Sequence, residues 1–280
     1  MTDSRLYIGI MSGTSLDGAD AVVCDIQDKS ILLIAHHHLD FPTELKQQLE
    51  SLLSPGDNEM QRMGEVSIQL AQVYADVVAG LLKKADLLPS QINCIGVHGQ
   101  TVRHCPQSHF TVQLNQPALL AELTGIDIIA DFRSRDMAAG GEGAPLVPAF
   151  HQAVFGDTTH KAIVNIGGIA NISFLTKDTV TGFDCGPGNT LLDNWCHLHT
   201  SQAYDGDARW AQNGEVISDL LECLLTDPYF QRQPPKSTGR EYFNLEWLRE
   251  RYPQISKLKP VDVQRTLTRL TALGIARSIQ

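Results

Sequence analysis

The strand that ends at Asp184 carries the carboxylate best placed for chemistry. Residues 183–190 read Phe-Asp-Cys-Gly-Pro-Gly-Asn-Thr and lead from an apolar strand into a helix. Sheets of α/β proteins place ligands and catalytic groups at the carboxyl ends of their strands, and glycine and proline fix the turn beside this carboxylate. Asn189 or Thr190 is predicted to cap the helix, whose positive N-terminus can face phosphate. The alternative is an aspartate that only caps or turns the chain.

A turn rich in glycine, hydroxyl and carboxylate groups occupies residues 9–20, Gly-Ile-Met-Ser-Gly-Thr-Ser-Leu-Asp-Gly-Ala-Asp. Gly13 and Gly18 allow the backbone to approach an anion and to take positive φ. The hydroxyl residues supply hydrogen-bond donors, and Asp17 can hold Mg²⁺ directly or through water. The turn is not a P-loop, because the Gly-x-x-x-x-Gly-Lys-Ser/Thr motif does not occur. A plain polar hairpin remains the alternative, since such turns are common.

A second glycine turn, Gly167-Gly168, lies past the midpoint of the chain in the segment Asn-Ile-Gly-Gly-Ile-Ala-Asn at residues 165–171. A Gly-Gly turn between two strands is a common hairpin connection, so by itself it says little about function. Together with the first turn it becomes informative. Two such turns, one in each lobe of a protein, can hold the phosphates of a nucleotide from both sides of a cleft.

Two arginines follow a predicted strand in the segment Asp-Phe-Arg-Ser-Arg-Asp at residues 131–136, just ahead of Gly-Gly-Glu-Gly. Arg133 and Arg135 can grip a carboxylate or a phosphate through paired N–H donors. A surface ion-pair cluster with the neighbouring aspartates is the alternative. His98 also follows a strand, and it either lines a sugar site or has a structural role.

Three further polar tracts carry weaker signals. Residues 36–38 are three histidines, but strand alternation would split their side chains between two faces, so we expect a solvated edge rather than a metal site. The acidic segment 204–207 lacks the remaining ligands of a calcium loop. The polar loop at 234–241 borders a cleft or is a plain linker.

The elements that must position these residues form a pattern that occurs twice. Apolar runs at 6–11, 21–26 and 31–35 predict an antiparallel meander, followed by a helix around 66–81 and strands at 92–97, 110–114 and 126–130. The meander recurs at 162–166, 170–175 and 180–183, with helices at 188–199 and 215–226 after it. The chain is therefore predicted to form two related lobes around a cleft, residues 1–131 and 132–280, with the stretch 138–144 as a hinge.

Composition and length narrow the class of protein. The chain has 280 residues, enough for two domains, and its net charge of −10 argues against a nucleic-acid partner, which would need a basic surface. We expect neither a membrane span nor a signal peptide. The six cysteines form no Cys-x-x-Cys pair, which is typical of reduced thiols in the cytoplasm. Residues 261–279 predict a helix with no strand after it, so the second lobe is expected to be truncated at its C-terminal end.

The segments at 11–20, 97–101, 131–145, 165–171, 183–189 and 234–241, in this order, closely resemble anhydro-N-acetylmuramic acid kinases. The resemblance covers essentially the whole chain, and the long run at 131–143 with Asp-Cys-Gly-Pro-Gly-Asn is far more specific than a glycine turn. It implies an α/β, two-lobed actin/hexokinase-like (ribonuclease H-like) fold with a central cleft. It also implies an enzyme of bacterial cell-wall recycling. Such enzymes convert 1,6-anhydro-N-acetylmuramic acid, ATP and water into N-acetylmuramic acid 6-phosphate and ADP.

The resemblance also assigns roles. Asp184 is the expected base for attack of water on C1, since the leaving oxygen O6 can be captured by the γ-phosphoryl group and one carboxylate then suffices. Arg133 and Arg135 would hold the lactyl carboxylate of the sugar. The expected nucleotide-binding residues are Gly13, Thr14, Ser15, Leu16, Asp17, Gly18, Ala19, Asp20, Gly167 and Gly168. The expected sugar-binding residues are Ser12, His98, Arg133, Arg135, Glu142, Asn171, Gly188 and Asn189.

ATP and Mg²⁺, with Asp17 as the metal ligand, are the expected cofactors, and a homodimer is implied by the resemblance alone. The resemblance places the turn that holds adenosine beyond the end of this sequence. Two other functions stay open. One is an anhydrosugar hydrolase that uses Asp184 without ATP, and the other is a non-catalytic sugar- or nucleotide-binding module.

Overall fold

The protein is described by a computed structural model that covers residues 5–13, 15–27 and 30–280. The chain divides into two compact units, Met1–Gly143 and Ala144–Gln280. The division falls within the glycine- and alanine-rich stretch 138–144. Both units combine a sheet with helices, so the predicted α/β class is confirmed.

The first unit contains seven of the described strands and four of the described α-helices. Its strands are β1 (Leu6–Met11), β2 (Gly18–Gln27), β3 (Ser30–Asp40), β4 (Ile92–Val97), β5 (Gln100–Cys105), β6 (Phe110–Leu114) and β7 (Ile128–Ile129). Its helices are α1 (Thr43–Ser51), α2 (Glu59–Ala85), α3 (Pro117–Thr124) and α4 (Phe132–Ala138). The strand β5 was not predicted; it pairs with β6 in a separate two-stranded sheet.

The main sheet of the first unit has the strand order β3-β2-β1-β4-β7. The first three strands form the predicted antiparallel meander, and β4 and β7 continue the sheet in parallel. This strand order is that of the ribonuclease H-like fold that the resemblance implied. The inward residues of β1, Ile8 and Ile10, are almost fully buried in the core of this unit.

The helix α2 forms much of that core. Its buried residues recur three and four positions apart, so one face packs against the sheet. By length and composition alone α2 could cross a membrane, although more than half of its most apolar window is buried. A core helix of a soluble protein passes the same test, so this is weak evidence for a membrane span.

The second unit contains a three-stranded sheet and six of the described α-helices. Its strands are β8 (Lys161–Ile166), β9 (Ile169–Leu175) and β10 (Val180–Pro187). Its helices are α5 (Val147–Phe155), α6 (Asn189–Thr200), α7 (Ser218–Leu225), α8 (Pro228–Gln231), α9 (Leu245–Arg251) and α10 (Pro260–Ile279). The order β10-β9-β8 is the second antiparallel meander that the sequence predicted.

Candidate active site

Asp184 lies in a row of polar residues that crosses the sheet of the second unit. It is paired with Asn171 on β9, and Asn171 is paired with Asn165 on β8. Directly opposite residues of antiparallel strands point to the same face, with Cβ atoms about 5 Å apart. The register therefore brings together the predicted base and the predicted sugar-binding residue Asn171. Asp184 is 4% exposed, so its carboxylate is largely shielded from solvent.

The loop at 234–241 holds the carboxylate of Asp184. The hydroxyl of Ser237 donates to Oδ2 at 3.1 Å, and the backbone N–H of Thr238 donates to the same oxygen at 3.0 Å. Two donors on one oxygen favour the ionised carboxylate and fix its orientation. This loop was predicted to border a cleft or to be a linker, and the structure places it against the predicted base.

The backbone of Asp184 is held as firmly as its side chain. Its N–H donates to the carbonyl of Lys236 at 3.1 Å, and its carbonyl accepts a hydrogen bond from the Tyr229 hydroxyl at 2.8 Å. The ammonium of Lys236 lies 5.0 Å from the ring centroid of Tyr229 and 5.7 Å from that of Phe183, close enough for cation–π attraction. Burial lowers the pKa of Lys236. The aromatic rings thus pack around the lysine on the element that orients Asp184.

Three residues linked to Asp184 by strand pairing, by a backbone hydrogen bond or by position in the chain have a buried side-chain oxygen with no hydrogen-bond partner in the described part of the chain. The oxygens are Oδ1 of Asn171, Oγ1 of Thr238 and Oγ1 of Thr190. Folded proteins leave few buried polar groups unpaired, because each costs about 1–3 kcal/mol. The unpaired oxygens of Asn171, opposite Asp184 in the sheet, and of Thr238, whose amide contacts its carboxylate, are typical of a site whose partners arrive with a ligand.

The start of α6 differs from the prediction. Its N-cap is Gly188, without a side-chain cap, so the prediction that Asn189 or Thr190 caps the helix is wrong. The first amides instead donate to the glycine turn: Asn189 N–H to Gly167 O at 2.8 Å and Thr190 N–H to Gly168 O at 3.1 Å. These donors are therefore engaged within the protein and do not face phosphate. A Cβ on Gly188 would lie 2.2 Å from Gly167 O, so this close approach requires glycine.

The side chain of Asn189 lines a cavity of about 390 Å³ on the flank of α6. Asp193, Asp205, Tyr204 and Gln264 also line it. The amide of Asn189 makes a hydrogen bond of 3.4 Å to the carbonyl of Ile166, beside the glycine turn. The predicted residue Asn189 thus lies next to a polar cavity at the beginning of α6.

A second buried carboxylate, Asp227, organises the polypeptide around the loop at 234–241. It accepts hydrogen bonds from the Tyr229 N–H, the Tyr242 hydroxyl, the Trp247 indole and the Arg251 guanidinium. Burial alone would raise the pKa of Asp227, but these hydrogen bonds lower it overall. Because the Tyr229 hydroxyl also donates to the Asp184 carbonyl, the Asp227 cluster helps to hold the backbone of the predicted base.

In the first unit, three of the predicted sugar-binding residues form one hydrogen-bonded chain. Ser12 donates to Gly99 O at 3.4 Å, and Nδ1 of His98 lies 2.6 Å from the same oxygen. The guanidinium of Arg133 donates from Nε to Nε2 of His98 at 2.8 Å and from Nη1 to Gly143 O at 2.6 Å. The structure thus brings Ser12, His98 and Arg133 together.

The protonation state of His98 follows from this chain of bonds. Nε2 accepts from Arg133, so it carries no proton, and Nδ1–H donates to the carbonyl. Burial, followed by the charge of Arg133, lowers the pKa of His98 to about 4. His98 is therefore a neutral imidazole that positions the Arg133 guanidinium.

The first predicted phosphate turn separates into buried and exposed residues. Leu16 and Ala19 are 3% and 0% exposed and belong to the core, so their side chains do not face a ligand. Ser15 and Asp17 are exposed, and the Ser15 hydroxyl donates to Asp17 Oδ1 at 2.6 Å. Thr14 lies outside the described residues.

Gly13 and Gly18 have different structural roles in this turn. Among the described residues of the turn the positive φ belongs to Leu16, at 57°, so Gly13 and Gly18 do not use the positive φ that glycine permits. A Cβ on Gly18 would lie 2.4 Å from Leu39 O, which means that the close packing of β2 on β3 requires this glycine. The carbonyl of Gly13 accepts a hydrogen bond from the buried Gln100 at 3.2 Å.

Asp20, Arg135 and Glu142 are the other predicted residues of the first unit. Asp20 is on β2, where its Oδ1 contacts His36 at 2.8 Å and His38 at 3.0 Å. Burial alone would raise the pKa of Asp20, but the two histidines lower it overall. Arg135 is exposed on α4, and Glu142 is half-buried before Gly143. The three histidines alternate between the two faces of β3, as predicted. His36 and His38 both contact Asp20, whereas His37 packs against Gly80.

Within the described ranges, no group of three or more His, Cys, Asp or Glu residues is arranged to hold a metal ion. The exposed carboxylate of Asp17 fits the mode in which one protein carboxylate binds Mg²⁺ and phosphate oxygens and water supply the other ligands. All six cysteines are free thiols, as expected.

Several residues of these networks were not found from the sequence. Tyr74 on α2 shares a hydrogen bond of 2.7 Å with the Ser12 hydroxyl, and burial raises the pKa of its phenol. Tyr229 and Asp227 hold the Asp184 region from distant positions in the chain. Such long-range partners leave no local pattern. Asp227 before Pro228 is a recognisable helix start, but that pattern does not reveal its other donors.

Known proteins similar to this chain carry one family name. A family model described as anhydro-N-acetylmuramic acid kinase matches residues 5–280. The anhydro-N-acetylmuramic acid kinase of Nitrosospira multiformis is 53% identical over 277 residues, which cover 98% of this chain and 75% of that protein. The enzyme of the same name from Pseudomonas paraeruginosa is 51% identical, with coverage of 98% and 75%.

Solved structures give only weak similarity. Component A of (R)-2-hydroxyglutaryl-CoA dehydratase from Acidaminococcus fermentans has a TM-score of 0.41 at 12% identity, covering 99% of this chain and 78% of that one. A ROK family glucokinase from Streptomyces griseus has a TM-score of 0.37 at 12% identity, with coverage of 97% and 78%. These scores are too low to support an argument. The family match and the sequence identities decide the assignment: the chain belongs to the anhydro-N-acetylmuramic acid kinase family.

Proposed function

We propose that the protein is an ATP-dependent kinase that opens the 1,6-anhydro bond of 1,6-anhydro-N-acetylmuramic acid and phosphorylates O6. The products are N-acetylmuramic acid 6-phosphate and ADP, a reaction of peptidoglycan recycling in the cytoplasm. The observation that carries the proposal is the buried Asp184 carboxylate, oriented by Ser237 and Thr238, in a chain that matches this kinase family over residues 5–280.

Asp184 acts as the general base. It takes a proton from a water molecule as the water oxygen bonds to C1 and the C1–O6 bond breaks. The electron pair of that bond stays on O6, which bonds to the γ-phosphorus, and ADP leaves. Inverting glycosidases use a second carboxyl group to protonate the leaving oxygen. Here the phosphoryl group takes the place of that proton, so one carboxylate is sufficient.

On this proposal each glycine turn binds nucleotide phosphate within its own unit. In the first turn, the exposed residues Ser15 and Asp17 take part in this binding, while Leu16 and Ala19 serve the core. Asp17 would hold Mg²⁺, which neutralises charge on phosphate oxygens when it is bound. In the second turn, Gly167 and Gly168 bind through the backbone, because they have no side chains to obstruct a close approach.

The sugar carboxylate binds to Arg133. His98 and Gly143 hold the Nε and Nη1 atoms of this guanidinium, so its plane is fixed before substrate arrives. Arg135, exposed on the same helix, is the second cation of this region. A homodimer is part of the proposal and is tested by the molar mass in solution.

The test is an assay with ATP and 1,6-anhydro-N-acetylmuramic acid in ¹⁸O-labelled water, followed by mass spectrometry of the sugar product. We expect one ¹⁸O atom at C1 and equal amounts of sugar phosphate and ADP. Asp184→Asn should lower kcat by about 10³-fold while sugar still binds, since general-base catalysis contributes roughly 10²–10⁴-fold. The control Asp178→Asn changes an exposed turn and should keep wild-type activity. Sugar opening without ATP would instead support a hydrolase and contradict the kinase.

A further inference from the structure

We propose that the Thr238 hydroxyl binds the attacking water beside Asp184, which gives the reaction a second residue in direct contact with the reacting atoms. The inference rests on the proposed function, because it takes Asp184 as the base. The loop at 234–241 then has two tasks: Ser237 orients the carboxylate, and Thr238 holds the nucleophile.

The position of Thr238 is fixed by its own backbone. Its N–H donates to Asp184 Oδ2 at 3.0 Å. The Cβ atom of Thr238 is therefore only two bonds from a nitrogen that contacts the carboxylate. The preceding residue, Ser237, binds the same oxygen. The carbonyl of Lys236, one residue earlier, accepts from the Asp184 N–H, so three consecutive residues are registered against Asp184. The Thr238 side chain cannot move far from the carboxylate without breaking these bonds.

The hydroxyl of Thr238 is buried and has no hydrogen-bond partner in the part of the chain that the structure describes. By contrast, the hydroxyl of Thr266 on α10 is also buried, donates to Asp262 O at 2.7 Å and accepts from the Ile217 N–H at 3.0 Å. A buried hydroxyl without a partner destabilises the fold. A threonine at such a position is therefore explained by a bound group that supplies the missing hydrogen bond.

The chemistry of the attacking water identifies that partner. Water gives one proton to Asp184, and its other O–H bond needs an acceptor if the oxygen lone pair is to point at C1. Thr238 Oγ1 can accept that hydrogen bond. The Asn171 side chain, opposite Asp184 on β9, has an unpartnered buried Oδ1 that can accept as well. Lys236 and Tyr229 pack against this part of β10, and neither is needed for this contact.

The test compares Thr238→Val with Thr238→Ser and with the matched control Thr266→Val. Valine keeps the shape and the backbone N–H of threonine but removes the hydroxyl. Thr238→Val should lower kcat by about 10- to 100-fold, the size of effect expected when a reacting group is mispositioned. The dissociation constant for the anhydro sugar should change less than about twofold, and the melting temperature should stay equal or rise, because no protein hydrogen bond is lost. Thr238→Ser should restore most of kcat.

Thr266→Val should show the reverse pattern, with wild-type kcat and a lower melting temperature, since it removes two hydrogen bonds. The proposal is overturned if Thr238→Val keeps wild-type kcat, or if it loses activity only because it loses stability or sugar affinity. Failure of the proposed function is recognised separately: the wild-type protein would then form no phosphorylated sugar, whereas failure of this proposal leaves wild-type product formation intact.

Discussion

Two buried aspartates of the second unit, Asp184 and Asp227, are held in different ways. Asp227 is fully buried and accepts from a backbone amide, a phenol, an indole and a guanidinium. Asp184 is 4% exposed, and its Oδ2 accepts from the Ser237 hydroxyl and the Thr238 amide. Beside it, the buried side-chain oxygens of Asn171 and Thr238 have no partner among the residues that the structure describes.

The difference shows that the surroundings of a buried carboxylate indicate its role. A carboxylate that is paired with a cation and accepts from several donors stabilises the fold and has little capacity to take a proton. Unpartnered polar oxygens beside a carboxylate, such as those of Asn171 and Thr238 beside Asp184, are typical of a site where a ligand completes the hydrogen bonds.

The largest expected effect comes from removing the charge of Asp227. Asp227→Asn leaves the Arg251 guanidinium and several donors without their acceptor, so the free energy of unfolding should fall by about 3–5 kcal/mol. Urea denaturation followed by circular dichroism measures it. Asp207→Asn is the matched control, because Asp207 and Arg209 form an ion pair that is about 80% exposed and should contribute less than ~1 kcal/mol. Equal unfolding free energies for the two variants would contradict the comparison.

The second effect is a difference between the two units in how their stability depends on pH. The pKa of His98 is lowered to about 4 by burial and by Arg133, so between pH 6.5 and 4 the unfolded chain binds a proton that the folded first unit does not. Stability from His98 is therefore complete above pH 6.5 and is lost as pH falls toward 4, by roughly 1–2 kcal/mol at pH 5. The pKa of Asp227 is lowered from its ordinary value of 3.8, so the stability that this carboxylate contributes is lost only as the pH falls below that value.

Melting curves between pH 7.5 and 4.5 measure this loss, and His98→Asn should flatten part of it. His104, whose pKa burial also lowers to about 4, should account for some of the remaining slope. A melting temperature that does not change with pH over this range would show that His98 is not buried as a neutral imidazole.

The smallest effect concerns the orientation of Asp184. Ser237→Ala removes a donor to Oδ2 while the Thr238 amide remains, so kcat should fall by about three- to tenfold with little change in KM. Ser237→Thr should restore most of the loss. Ser173→Ala is the matched control, because Ser173 is also buried in this unit but bonds to His151 at 2.8 Å. A change in KM alone would show that Ser237 contacts substrate rather than the base.

Much of the fold could be predicted because local sequence patterns indicate its strands and helices. Apolar runs located both meanders, and apolar residues at helical spacing located α2 and α10. The strand β5 was missed, since its mixture of polar residues, Gln100 to Cys105, shows no clear alternation. The helix cap at Asn189 or Thr190 was wrong because carbonyls from Gly167 and Gly168, some twenty residues earlier, supply the acceptors that a side chain would otherwise provide.

The sequence by itself determined the family and the candidate base, since the segments at 131–143 and 183–189 are contiguous and their residue types define the chemistry. Only the tertiary structure decided which residues hold that base. Ser237, Thr238, Tyr229 and Asp227 lie more than forty positions from Asp184, and their hydrogen bonds depend on how β10 packs against the loop at 234–241. Likewise, the neutral state of His98 required the position of Arg133, because a pKa depends on the groups that surround a side chain in space.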